Sequence, residues 1–93
     1  RIMLAEGAPG SATHIRLLED NNVVVVLAGE AQQWETYEYT RDAVDQGRKK
    51  AIIFLGHINS EEAGMDYCAQ WLKTFLKDIP VNYIENGSSF WSF

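Results

Sequence analysis

The chain has one cysteine, two prolines, two histidines and only eight basic residues among 93. A lone Cys68 can form neither an internal disulfide nor a cysteine cluster for zinc, so a reducing, cytoplasmic setting is the expected one. Against thirteen acids the eight bases leave a formal charge of −5, and the only basic cluster is Arg48-Lys49-Lys50. That balance offers no electrostatic footprint for DNA, RNA or anionic lipid, so neither a nucleic acid nor a membrane is an expected partner. No apolar stretch approaches the roughly 20 residues that span a bilayer, and the first residues lack the long apolar core of a signal peptide. No internal repeat, low-complexity tract or linker divides the chain.

What is present describes a globular α/β unit. Ninety-three residues allow one domain at most, with a modest core. Short apolar runs alternate with longer amphipathic stretches in the order β-α-β-α-β-α-β, which predicts a layered sheet flanked by helices. The first strand is residues 2–5, ended by the turn Gly7-Ala8-Pro9-Gly10. Ser11 or Thr13 is expected to cap a helix that reaches about Asp20 with Ile15, Leu17 and Leu18 on its inner face. Residues 23–27 are all aliphatic and read as a central strand covered on both faces. A helix over 34–46 carries Trp34, Tyr37, Arg41 and Val44 and stops at Gly47. The third strand is 50–55, and the longest helix runs from about 60 to 77. Its stripe of Met65, Cys68, Ala69, Leu72, Phe75 and Leu76 reads as core. Pro80 stops that helix, and 81–84 is expected as a fourth strand. Phe90, Trp91 and Phe93 then crowd the terminus, an apolar end that needs covering. Because the chain starts at Arg1 rather than Met, it is expected to be a fragment of a longer protein.

The residues with chemical potential sit where strands end. Ala51-Ile52-Ile53-Phe54-Leu55 runs into Gly56-His57-Ile58-Asn59-Ser60-Glu61 and then into a helical pattern. Residues four apart share a helix face, so Glu61 can stand beside His57. An imidazole and a carboxylate so placed suit zinc, manganese or ferrous iron, but two ligands do not fill a coordination sphere. The simpler reading is a helix entry capped by Asn59 or Ser60, with Glu61 and Glu62 favouring the positive end of the helix dipole and His57 making a local hydrogen bond, and both readings can hold together. Ligands of open α/β sheets collect outside the carboxyl ends of the strands. There, Glu6-Gly7-Ala8-Pro9-Gly10, Gly29-Glu30 and Gly56-His57 can share one rim. The first of these could cradle an anion on backbone N–H groups, although it lacks the Lys-Ser/Thr of a P-loop and reads more simply as a tight turn. Glu30 is either a base near the site or a solvated loop acid. His14, among apolar neighbours, is expected as a surface or packing histidine.

The order of these motifs resembles the C-terminal half of the NIF-three-like (NGG-interacting factor three) dinuclear metal-centre family, some members of which are labelled GTP cyclohydrolase type 2. The resemblance covers nearly the whole chain. It rests on Gly29-Glu30 and on Gly56-His57-x-x-Ser60-Glu61 with Gly64 following. It implies that His57 and Glu61 are ligands of a two-metal centre and that Gly29 and Glu30 lie near it. The remaining ligands, a His pair and an Asp, belong to an N-terminal half that is missing here. Many relatives have a second His where this chain has Ile58. The family also implies a ring-like homo-oligomer.

Two functions of different class follow as expectations. One is a metal-dependent hydrolase of unknown substrate, in which two divalent ions about 3.5–4 Å apart activate a water and Glu30 orients or deprotonates it. The other is a non-catalytic metal-binding or assembly module.

Overall fold

The computed structural model describes residues 1–88; the aromatic cluster Phe90, Trp91 and Phe93 lies outside them. The elements are β1 (Ile2–Ala5), α1 (Ser11–Glu19), β2 (Val25–Ala28), a π-helical turn (Gln33–Tyr37), α2 (Glu38–Asp45), β3 (Ala51–Phe54) and α3 (His57–Leu72). The three strands form one parallel sheet in the order β1-β2-β3, so the α/β expectation is met. Among the described residues no helix is long and apolar enough to cross a membrane.

The handedness of the crossovers decides where the core sits. Strands laid down successively in one direction and joined by right-handed crossovers place both connecting helices on the same face. Accordingly Ala5, Val26 and Ala28 are buried against Leu18 and Val23, with Met3, Leu17, Tyr39, Ile52 and Phe54 packed around them. Tyr37 of the π-helical turn stacks on Phe54 with centroids 4.4 Å apart. The alternate positions point the other way: Ile2, Leu4 and Ile53 are exposed, and Val25 and Leu27 are half-buried. The expectation of a central strand covered on both faces is therefore corrected.

Several boundaries differ from the sequence reading for identifiable reasons. β2 starts at Val25 rather than Val23, because the Val23 N–H bonds back to the Asp20 carbonyl and the Val23 carbonyl accepts from Lys50 Nζ. Ser11 is not a cap: Gly10 precedes α1, and the Ser11 hydroxyl donates to Gln32 while accepting from buried Thr36. Gly47 does end α2, with its N–H on Val44 O and the Arg48 N–H on Ala43 O, the paired bonds of a Schellman motif. α3 stops at Leu72 rather than near 77, and the Thr74 hydroxyl takes the Trp71 carbonyl beyond it. Residues 81–84 carry no strand pairing, so the fourth strand is not formed. The α3 stripe is not core either. Ala69 is buried, but Met65 and Phe75 are more than half exposed, because α3 stands off the sheet.

The basic cluster that gives no nucleic-acid face has an internal role. Arg48 donates to the Leu18 and Glu19 carbonyls and to the Tyr39 hydroxyl, and buried Lys50 donates to Asp20 O at 2.7 Å and Val23 O at 2.6 Å. Two cations thus satisfy the carbonyls at the C-terminal end of α1, where the helix dipole favours them.

His14 is fully buried on α1, with neither ring nitrogen in hydrogen-bond geometry. Burial pushes its pKa below 6.5, the larger effect, and the backbone of Ala5 opposes it. A base whose folded pKa is depressed binds fewer protons folded than unfolded, so stability falls as pH drops from 6.5 toward the folded value. His14→Leu is expected to be at least as stable at neutral pH and to lose less stability on acidification. Urea midpoints on both sides of that window check this, and an unchanged acid slope counts against it.

Candidate metal centre

Three loops at the carboxyl end of the sheet are laced together by backbone hydrogen bonds. Gly29 N–H donates to Ala5 O, Glu30 N–H to Gly7 O at 2.9 Å, and Gly56 N–H to Gly29 O at 3.0 Å. Ser60 completes the lacing: its hydroxyl accepts from the Gly7 N–H at 2.9 Å and donates to His57 O at 2.8 Å. The shared rim expected from strand order is therefore formed. The Gly7 amide is spent on Ser60, which favours the tight-turn reading of Gly7-Ala8-Pro9-Gly10 over an anion cradle.

α3 begins at His57, with Gly56 as its N-cap at φ 87° and no capping side chain. That conformation suits glycine and turns the chain from β3 straight into the helix. Neither Asn59 nor Ser60 caps it, so that expectation is corrected. The early start places His57 and Glu61 one turn apart on the same helix, with His57 Nε2 3.1 Å from Glu61 Oε2. On the other side His57 Nδ1 is 3.2 Å from Glu30 Oε1. The three side chains form a continuous chain, Glu30–His57–Glu61, at 58, 43 and 43% exposure.

This arrangement shifts the imidazole. The hydrogen bond that His57 Nδ1 donates to Glu30 is the largest cause, burial opposes it and the charge of Glu61 adds to it, so the His57 pKa is raised above 6.5. Protonated His57 is therefore favoured in the metal-free folded state, a contribution present below 6.5 and lost as pH rises through the elevated folded value. Glu30→Gln is expected to lower that midpoint, read from the imidazole resonances by NMR titration. A midpoint unmoved by the substitution would exclude Glu30 as the controlling neighbour.

From the rim a groove of about 820 Å³ runs between α3 and residues 81–86. Met65, Cys68 and Leu72 line one wall, and Val81, Tyr83 and Ile84 the other. Burial, and then the neighbouring Glu62 carboxylate, push the Tyr83 hydroxyl up to about 12, although the two groups lie outside hydrogen-bond geometry.

Among the described residues no cluster of three or more His, Cys, Asp or Glu side chains is placed to hold a metal ion. No family model matches the chain, and no curated protein or solved structure matches it.

His57, Glu61 and Glu30 are thus brought together, whereas His14 is buried away in the core. The positioning roles of Gly7 and Ser60 were not evident from spacing. The one available signal for Gly7 was a glycine just past a strand end. Nothing local marks Ser60 as its partner, 53 residues away.

Proposed function

We propose that the chain is part of a divalent-metal-binding protein of the NIF-three-like kind, acting as a dinuclear metal-dependent hydrolase whose substrate is open. The observation that carries this is the Glu30 carboxylate on His57 Nδ1. A carboxylate there keeps that nitrogen protonated and directs the Nε2 lone pair outward, the usual second-layer support of a metal-bound imidazole. Glu61 Oε2 lies beside that nitrogen. The absence of a Cβ at Gly7 leaves room for the Glu61 carboxylate. One nitrogen and one carboxylate oxygen converging on a half-exposed rim fit zinc, manganese or iron.

In this reading His57 and Glu61 are ligands, and the other ligands come from outside residues 1–88. Bound metal would lower the pKa of a water and polarise the bond to be hydrolysed. Glu30 holds the His57 ring in orientation, and through it the proton on Nδ1. Its half-exposed position also lets it accept a proton at the rim. Ser60 keeps the Gly7 turn against the first turn of α3 and so holds the rim closed.

Metal content by mass spectrometry, on the polypeptide that contains these residues, tests the reading. Two ions per chain falling to one or none in His57→Ala/Glu61→Ala is the expected result. No metal in either form would sink it. Turnover that drops in Glu30→Gln while metal stays bound separates the hydrolase from the non-catalytic metal-binding module.

A further inference from the structure

The groove along α3 joins apolar walls to charge of a single sign. Met65 and Leu72 lie on one side and Val81 and Ile84 on the other, while Glu30, Glu61 and Glu62 supply its charged lining and no Lys or Arg takes part. His57 is its one base, and it is already engaged between Glu30 and Glu61. Glu62 has no such neighbour. Among the described residues no Lys, Arg or His forms an ion pair with it, and its Oε1 is closed to water without a hydrogen-bond partner. The Tyr83 hydroxyl on the opposite wall is closed off and unpartnered in the same way, and the charges of Glu85 and Asp66 bear on it together with that of Glu62. Carboxylates and hydroxyls held out of water are ordinarily paired, because leaving them unpaired is costly.

We propose that this groove binds a small amphipathic cation, an apolar primary ammonium. Its alkyl or aryl body lies along Met65, Leu72, Val81 and Ile84, and its ammonium donates to Glu62 Oε1 and to the Tyr83 hydroxyl. An ammonium carries three donors and a positive charge, so it can serve both oxygens at once through charge-assisted bonds. The Tyr83 ring offers it an aromatic face as well. An anion of the same shape is repelled by the lining, and a neutral molecule leaves the Glu62 charge uncompensated. Size agrees, because about 820 Å³ falls inside the roughly 300–1,000 Å³ of small-molecule sites. Entry is also open to such a ligand. Among the described residues, 81–86 make no backbone hydrogen bond and belong to no strand, so that wall is held by side chains and can yield to an incoming ammonium.

The inference does not rest on the metal reading, since Glu62 is not one of the ligands named there. Titration calorimetry with phenylbutylamine, at neutral pH and with EDTA present, tests it. Phenylpentanoate and phenylbutanol, which place a carboxylate and a hydroxyl on the same body, are the comparisons. The amine is expected to bind at least about tenfold tighter than the carboxylate, and Glu62→Gln to weaken the amine about tenfold while leaving the alcohol unchanged, as the loss of one charged hydrogen bond requires. Glutamine keeps the shape of the side chain, so far-UV circular dichroism should stay that of the parent. If that variant unfolds, Tyr83→Phe takes its place, with a several-fold weakening expected because the ring stays and the hydroxyl goes. Location is read at Cys68, the only cysteine of the chain and part of the groove lining: saturating amine should slow its alkylation by iodoacetamide several-fold. A chain that holds no metal yet binds the amine sinks the metal reading alone. No binding heat, equal affinity for amine and carboxylate, an amine indifferent to Glu62→Gln, or binding that leaves Cys68 unprotected would overturn the proposal.

Discussion

Gly29→Ala is expected to lower stability by about 3 kcal/mol and to dismantle the Glu30–His57–Glu61 chain, the upper range for overpacking a closely fitted site. An added methyl would overlap the Gly7 carbonyl oxygen and stand 2.6 Å from Gly7 N and 2.7 Å from Ser60 Oγ. Two of these three atoms are backbone, so no side chain can swing aside to relieve the clash. The β1 and β2 loops must separate, which breaks the Glu30 N–H to Gly7 O bond and the Gly7 N–H to Ser60 bond. Urea denaturation gives the loss of stability, and the His57 titration midpoint gives the loss of the site; it should fall toward 6.5 as Glu30 moves away. Gly64→Ala is the control. Nothing lies within 4 Å of the added methyl in α3, so helix propensity alone should raise stability by up to about 1 kcal/mol. If both alanines behave alike, the close approach at Gly29 is not what holds the rim.

Lys50→Met should cost about 2–3 kcal/mol, because two carbonyls lose a charged donor within the structure. Lys50 is buried, with its ammonium on Asp20 O and Val23 O. Methionine matches the aliphatic stem but donates nothing, so the buried Val23 carbonyl is left unpaired and the Asp20 carbonyl keeps only the Val23 N–H. The same bonds tie the end of α1 to the entry of β2, and their loss should loosen that turn. Hydrogen exchange at Val23 and Val24 would show this as faster opening than elsewhere in the sheet. Lys49→Met, at an exposed neighbour, should be nearly neutral. Equal losses at the two positions would indicate that the effect is one of net charge rather than of these bonds.

The strand-end rule made the rim legible. Apolar runs ending at Gly7, Gly29 and Gly56 identified three loops, and i, i+4 spacing identified His57 with Glu61. Helix α3 was located, but not its start. Whether Gly56 is the last loop residue or the helix cap depends on its backbone angle, φ 87° here, which the residue type permits but does not fix.

The chain's own residues determined the β-α alternation, because burial of one apolar face has period two in strands and 3.6 in helices. They also determined the acidic net charge and the presence of a single cysteine. Tertiary structure alone decided which apolar residues are core. Val26 and Val25 are chemically identical neighbours, yet one is fully buried and the other is not, because right-handed crossovers put both helices on one side of the sheet. It likewise decided that Arg48 and Lys50 serve α1 rather than a partner. Their acceptors lie some 30 residues earlier, a distance over which sequence spacing carries no geometric information and only the closed fold brings donor to acceptor.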